Sequence, residues 1–109
     1  MPHLRYLASA RLDIAQIQAY ITRESRSLAI GRGFAHQLRL KCIKLASLPG
    51  HMGRARDEIG EGLRSSAYKG YIFFRYVGDE FQIVNILEGH RDAASHFGLD
   101  AADDSETDG

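Results

Sequence analysis

Cysteine is scarce in this sequence, and the usual cysteine and histidine spacings of metal sites are missing. Its 109 residues include one cysteine, Cys42, so the chain cannot form an internal disulfide. Cys42 falls in a helical pattern, where a small buried side chain is the default interpretation, and we expect a reducing, cytoplasmic setting. The five histidines are scattered without an H-x-x-x-H spacing, and no C-x-x-C occurs. The sequence therefore predicts neither redox chemistry nor a metal site.

Nucleotide-binding and acyl-transfer motifs are also missing. The chain has no G-x-x-x-x-G-K-[ST] loop, and Gly31 and Gly33 stand near a predicted helix start rather than after a strand. Ser65 and Ser66 lack the flanking glycines of a nucleophile elbow. We therefore expect no cofactor and no acyl-transfer chemistry.

Long apolar runs are absent as well, and the sequence predicts no membrane span. Near the N-terminus, Arg5, Arg11 and Asp13 interrupt the apolar core that a signal peptide needs. We expect neither a signal peptide nor a membrane anchor.

Net charge is zero, with 14 basic and 14 acidic residues, but its distribution is uneven. Residues 100–109 hold five of the acidic residues and no Lys or Arg, so residues 1–99 carry about +5. We predict one domain over 1–99, too small for two cores, and a solvated acidic tail over 100–109. Alternatively, the tail folds back and screens a basic site. The body is less basic than a dedicated nucleic-acid binder.

Strand signal concentrates between residues 63 and 92. The runs LRSS, YIFFRYV and FQIVNIL, with Gly78-Asp79 between the last two, predict a three-stranded antiparallel meander. Alternation divides the side chains into two faces. In the first long strand these are Tyr71, Phe73, Arg75 and Val77 against Ile72, Phe74 and Tyr76; in the next they are Ile83, Asn85 and Leu87 against Val84, Ile86 and Glu88. Because both faces are largely apolar, we expect helices on one face and partial exposure of the other.

Two helical patterns precede the meander. A short strand over His3 to Leu7 leads to Ser9 as a helix cap. The first helix should end near residues 24–27, with Asp13 among the polar residues off its buried stripe; that stripe is Ala10, Ile14, Ile17 and Ile21. The second helix should run from Ser27 or Leu28 to Ser47, with a stripe of Phe34, Leu38, Cys42 and Leu45.

The remaining segments complete an α+β architecture. Residues 49–62 are rich in glycine and charge and predict a loop of functional interest. Asp92 could cap a short terminal helix that includes Phe97. The predicted order is thus an N-terminal strand, an antiparallel helical hairpin on one face of the sheet, the meander and a short C-terminal helix.

The residues suited to specific chemistry lie on or beside the meander: Arg64, Lys69, Arg75, Glu88, His90 and Arg91. Arginines that hold a phosphate, with Glu88 or His90 moving a proton, would be the minimum for cleaving RNA through its 2′-hydroxyl. Charged residues at strand ends are more often simply solvated. An arginine amid aromatics, such as Arg75, often stacks on a ring or extends to water.

Four local patterns, in order along the chain, resemble the RelE/ParE toxin superfamily of bacterial type II toxin-antitoxin systems. They are A-x-x-D-I-x-x-I-x-x-Y-I over 10–21, L-x-x-x-P followed by G-R-x-R-x-E over 45–58, G-L-R-S over 62–65 and G-x-R-D over 89–92. The resemblance covers the chain up to Phe97, and the ParE branch is the more similar one.

The ParE resemblance implies a toxin that inhibits DNA gyrase by binding and performs no chemistry. It also implies neutralisation by a ParD-like ribbon-helix-helix antitoxin, through which alone DNA would be contacted. The implied target-binding residues are Arg64, Lys69, Arg75, His90 and Arg91.

The RelE branch supplies the alternative, an endoribonuclease that cuts mRNA on the ribosome, with Arg64, Glu88, His90 and Arg91 as its catalytic residues. Two departures bear on this choice. Phe97 stands where an RNA-cutting member often has a tyrosine, and E-G-H-R-D over 88–92 replaces the usual H-G-R-R-D. An inactive member that only binds antitoxin is a third interpretation.

Antitoxin binding also has a physical argument. A helical hairpin on a small sheet leaves an apolar groove, and a basic body attracts an acidic amphipathic helix. The predicted contact residues are Ile14, Ile17, Phe34, Leu38, Tyr71 and Phe73.

Overall fold

The computed structural model describes residues 2–89 as an α+β fold, with two helices packed on one face of a five-stranded sheet. The elements are β1 (His3–Tyr6), α1 (Ala8–Ser25), α2 (Leu28–Ser47), β2 (Arg54–Ala55), β3 (Arg64–Ala67), β4 (Gly70–Val77) and β5 (Glu80–Glu88). The predicted strand, helical hairpin and meander are confirmed. The predicted terminal helix and the acidic tail lie outside the described residues. No helix in the described range is long and apolar enough to cross a membrane.

The sheet has the order β1-β5-β4-β3-β2. β1 runs parallel to β5, with His3 opposite Glu80 and Tyr6 opposite Ile83, and all other pairs are antiparallel. At the β4–β5 hairpin Gly78 has φ 60, as the first central residue of a type II′ turn requires. β2 lies within residues 49–62, which were predicted to form a loop. A strand of two residues is too short to show alternation in the sequence.

A bulge in β5 overturns part of the predicted face assignment. Phe73 lies opposite Asn85 while Phe74 lies opposite Ile83, so Val84 is an extra residue. One extra residue moves every side chain beyond it to the other face. Ile83 therefore packs in the helix-facing core with Phe74, whereas Val84 packs on the opposite face beside Phe73. Strict alternation places Ile83 on the face of Leu87 and Val84 on the face of Ile86, whereas the structure groups Ile83 with Ile86 and Val84 with Leu87.

The two faces of the sheet carry clusters of different size. The larger one, between sheet and helices, consists of Ala10, Ile14, Ile17, Ala35, Leu38, Cys42, Leu45, Ala46, Ile72, Phe74, Phe81, Ile83 and Ile86. The smaller one, on the outer face, has Leu63, Phe73 and Leu87 buried and Ile59, Tyr71 and Val84 partly buried. The prediction of one helix-covered face and one partly open face is confirmed.

The start of α1 differs from the prediction. Leu7 occupies the N-cap position and offers no side-chain cap. Ser9 lies inside the first turn, and its hydroxyl donates to the Val84 carbonyl at 2.5 Å. Ser9 therefore ties the helix to the sheet instead of capping the helix.

Asp13 was assigned to the polar side of α1, but the structure buries it against β5. Its Oδ2 accepts from the Ile86 backbone N and from Asn85 Nδ2, both at 2.9 Å. β1 ends at Tyr6, opposite Ile83, so the next part of β5 lacks a neighbouring strand on that side. Ser9 and Asp13, four residues apart on one helix face, satisfy backbone groups there.

The helices are joined by a tight connection and a close contact. Ser27 caps α2 by accepting from the Ile30 N at 3.2 Å. Gly31 is buried where α2 crosses α1: a Cβ there would collide with Thr22 Oγ1 and lie 2.9 Å from the Gln18 carbonyl oxygen. Gly31 thus permits the close approach of the helices.

Candidate functional site

Arg64 holds a loop against the sheet. From β3, its Nε donates to the Met52 carbonyl at 2.6 Å and its Nη2 to the Gly53 carbonyl at 3.0 Å. Gly53 has φ 76, and a Cβ there would lie 2.6 Å from the ring of Phe74. Arg64 was predicted to contact a target, but its Nε and Nη2 both donate to carbonyls of the chain's own loop.

Arg56 is a second arginine whose side chain is held by specific contacts. It lies in the G-R-x-R-x-E pattern but was not among the predicted site residues. Its Nε donates to Ser65 Oγ at 2.8 Å, and Nη1 lies 3.4 Å from Glu58 Oε2. The guanidinium also stands 5.6 Å from the centroid of the Tyr71 ring. These contacts fix the 54–58 segment over the outer face of the sheet, beside the smaller cluster.

A polar row crosses the outer face near the β4–β5 hairpin. Arg75 Nε donates to Gln82 Oε1 at 3.0 Å, and Gln82 Nε2 donates to Glu80 Oε1 at 2.8 Å. Arg5 Nη1 closes the row 3.5 Å from Glu80 Oε2. The hydrogen bond from Gln82, and then the charge of Arg5, hold the pKa of Glu80 below its usual value despite some desolvation. Arg75 is exposed, although its Nε is used in the hydrogen bond to Gln82.

Two lysines share one aromatic ring at the β3–β4 turn. Lys69, in the left-handed conformation with φ 53, places Nζ 5.6 Å from the Tyr68 ring centroid and 5.5 Å from that of Phe34. Lys41 Nζ of α2 lies 5.6 Å from the same Tyr68 centroid. We call Lys41, Lys69 and Tyr68 the lysine clamp. Among the described residues, neither lysine forms an ion pair.

Two of the candidate residues, Arg75 and Glu88, lie far apart along the sheet. Glu88 lies opposite Gly70, five positions along β4 from Arg75, or about 17 Å at the rise of a strand. That separation is too large for both to act on one phosphate. His90 and Arg91 lie outside the described residues.

Buried titratable groups offer no alternative nucleophile in the part of the chain that the structure describes. Burial raises the pKa of the Cys42 thiol to about 11 and also raises that of the neighbouring Tyr6 hydroxyl. Residues 2–89 contain no cluster of three or more His, Cys, Asp or Glu suited to a metal ion.

The predicted antitoxin contacts divide by burial. Ile14, Ile17, Leu38 and Phe73 are 3, 3, 1 and 0 % exposed, so a partner could reach them only if the fold opened. Phe34 and Tyr71 are partly exposed. The apolar side chains that the helices do present are Leu12, Tyr20, Leu28, Ile30, Leu40 and Ile43. Helical periodicity predicted the core positions Ile14, Ile17 and Leu38 correctly, and the assignment of antitoxin contact stays a prediction.

α2 carries positive charge without any acidic residue. Its 20 residues include Arg32, Arg39, Lys41 and Lys44 and no Asp or Glu. The same imbalance extends over residues 25–56, which lack any carboxylate side chain. An exposed face with apolar and cationic side chains suits an acidic amphipathic segment.

Comparison with known structures shows where this fold occurs. A solved structure described as the chromosomal ParDE TA system from P. aeruginosa is similar to this chain, with a TM-score of 0.69 and 19% sequence identity. The match covers 83% of this chain and 98% of the other. The expected RelE/ParE-like architecture is thereby confirmed as a fold. No protein-family model and no curated protein matches the sequence.

Proposed function

We propose that this chain is the toxin of a bacterial type II toxin-antitoxin system and acts in the cytoplasm by binding DNA gyrase. A ParD-like ribbon-helix-helix antitoxin would neutralise it. The observation that carries the proposal is the fold match to a ParDE structure over 83% of this chain and nearly the whole of the other. The four sequence patterns that resemble the ParE branch support the same assignment.

The site geometry favours binding over catalysis. Two donors of Arg64 are used by the carbonyls of Met52 and Gly53, which suits a structural role. Arg75 and Glu88 stand about 17 Å apart along the sheet. We assign target contact to Lys69, Arg75, His90 and Arg91. Arg64 has a positioning role, because it holds the loop at Met52 and Gly53.

Two assays on the purified protein test the target. We expect inhibition of gyrase supercoiling and accumulation of cleavage complexes, with mRNA left intact in a translating ribosome system. Arg91→Ala should abolish the inhibition. Arg23→Ala is the control. Arg23 is exposed on α1, and its replacement removes the same charge as Arg91→Ala.

Ribosome-dependent mRNA cuts that disappear in Glu88→Ala or His90→Ala would overturn the gyrase proposal in favour of the endoribonuclease. Inhibition of neither gyrase nor translation, with antitoxin still bound, would identify an inactive member that only binds antitoxin.

The antitoxin surface is best assigned to the outer side of α2. Leu40 and Ile43 are 45 and 53 % exposed, and the cations of α2 have no acidic residue on their own helix. An acidic amphipathic helix would cover the apolar side chains and place carboxylates beside the cations. Leu38 then supports this surface from below, together with Ile14 and Ile17, in the cluster between sheet and helices. Phe73 lies on the opposite face of the sheet, and none of the four touches the partner.

Co-elution with the cognate antitoxin at micromolar concentration tests this assignment. Leu40→Glu with Ile43→Glu should abolish co-elution because both changes add repulsive charge to the proposed contact. Val77→Glu is the matched control, since Val77 is 46 % exposed but lies beside the β4–β5 turn. Loss of binding in the control and not in the double variant would move the partner to the sheet.

A further inference from the structure

The lysine clamp brings together positive charge that the described part of the chain does not neutralise. Lys41 and Lys69 each place Nζ 5.6 Å from the Tyr68 ring centroid, although they come from different elements. Two ammonium groups near one ring form a local concentration of positive charge, which an anion beside them would offset. No carboxylate among residues 2–89 forms an ion pair with either lysine.

The chain leaves the described fold beside this clamp. The Gly89 amide donates to the Lys69 carbonyl at 2.9 Å, and Gly70, the next residue, lies opposite Glu88. Ten residues, 90–99, separate this point from Asp100, enough to span at most about 35 Å when extended. Residues 100–109 need not cross the molecule to reach the clamp.

The composition of the two segments is complementary. Residues 100–109 contain five carboxylate side chains and no Lys or Arg, whereas residues 25–56 contain seven Lys or Arg and no carboxylate. We propose that the acidic segment 100–109 binds back onto the lysine clamp of its own chain. The proposal concerns the isolated protein and goes beyond the toxin assignment, so either can fail without the other.

Tethering makes such a weak contact effective. Single exposed Lys–carboxylate pairs are weak, but a short connecting segment supplies an effective concentration on the order of millimolar. The contact should be sensitive to salt, because screening acts strongly on exposed charges. An acidic partner that binds α2 would compete with the segment for Lys41.

A spin label at the end of the full-length chain tests the proposal. Gly109→Cys introduces a reactive thiol, while Cys42 is buried and its pKa is raised to about 11, so a nitroxide reagent should select position 109. We expect paramagnetic broadening of the backbone amides of residues 38–44 and 67–70. Amides on the exposed side of α1, such as that of Ala19, provide the reference.

The charge variants decide the outcome. In Lys41→Gln with Lys69→Gln, the broadening should fall to the reference level, as it should in roughly 0.5 M salt, where the Debye length is about 4 Å. Arg32→Gln with Arg39→Gln is the matched control, since it removes two charges half a turn around α2 from Lys41 and should preserve the broadening. Circular dichroism verifies that both double variants fold.

Three results would overturn the proposal. They are broadening no greater than the reference in the unaltered sequence, broadening that persists in the Lys41 and Lys69 double variant, and equal loss in the arginine control. If the lysine variant weakens binding of the antitoxin while the broadening persists, the clamp serves the partner and not the segment 100–109.

Discussion

The two faces of the sheet are held in different ways. On the helix-facing side, Phe74, Phe81 and Ile83 are fully buried within a continuous apolar cluster. The outer face combines a small apolar cluster around Phe73 with the polar row from Arg5 to Arg75. Close packing of apolar side chains holds the helix-facing side, whereas individual polar contacts hold much of the outer face. Equivalent substitutions on the two faces should therefore have unequal effects on stability.

The phenylalanines at adjacent positions of β4 give the largest test. Both Phe73 and Phe74 are 0 % exposed, but Phe74 packs against Phe81 at 4.7 Å between ring centroids, under the helices. Phe74→Ala should cost stability near the upper end of roughly 3–5 kcal/mol, and Phe73→Ala near the lower end, because partly exposed Tyr71 and Val84 can move inward. Denaturant unfolding measures both, and an equal or reversed order would refute the distinction.

Removing the buried carboxylate should have the next largest effect. Asp13→Ala leaves the Ile86 amide and the Asn85 side chain without their acceptor, which should cost about 1–3 kcal/mol of unfolding free energy. Glu24→Ala, at an exposed position of the same helix, should change stability by less than about 0.5 kcal/mol. A small loss at Asp13 would show that another group or water replaces it.

Two glycines in α2 differ in the same way, since Gly31 faces α1 and Gly33 faces open space. Gly31→Ala should destabilise the fold by roughly 1–3 kcal/mol, because its Cβ would meet Thr22 and the backbone of α1. Gly33→Ala should stabilise it by about 0.5–1 kcal/mol, since nothing lies within 4 Å of the added Cβ. Thermal unfolding of both variants checks the sign, and a loss at Gly33 would contradict the prediction.

The outer polar row gives the smallest effect. Gln82→Leu removes the hydrogen bond that contributes most to the low pKa of Glu80, so that pKa should rise toward the usual glutamate value. NMR titration of the carboxyl carbon measures the change. A lowered folded-state pKa stabilises the fold above the unfolded-state pKa, and that stabilisation disappears as pH falls through the folded-state value. The variant should therefore lose less stability on acidification; an unchanged Glu80 pKa would assign the shift to Arg5 instead.

Sequence periodicity predicted the elements well because most of them bury one continuous stripe. Ala10, Ile14 and Ile17 in α1, and Leu38, Cys42 and Leu45 in α2, all lie in the core as expected. Alternation failed at Val84, since a bulge adds a residue without changing the apolar character of the strand. Ile83 therefore shares a face with Ile86 and not, as alternation predicts, with Leu87.

The polar features were harder to predict because they depend on tertiary neighbours. Asp13 is buried by its position beside an unpaired part of β5, which helical periodicity does not encode. Arg64 was identified as a special residue, but its contacts with Met52 and Gly53 depend on how the preceding loop folds. The lysine clamp joins Lys41 and Lys69, 28 positions apart, and no local pattern relates them.

The parallel pairing of β1 with β5 has a consequence for synthesis of the chain. His3 emerges from the ribosome early, yet its partner Glu80 follows 77 residues later. At about 5–20 residues per second, β1 waits some 4–15 s before its partner exists. The newly made protein therefore cannot assemble its finished sheet while the helices are being translated, and completion of the fold is confined to the last stage of translation or to the time after release.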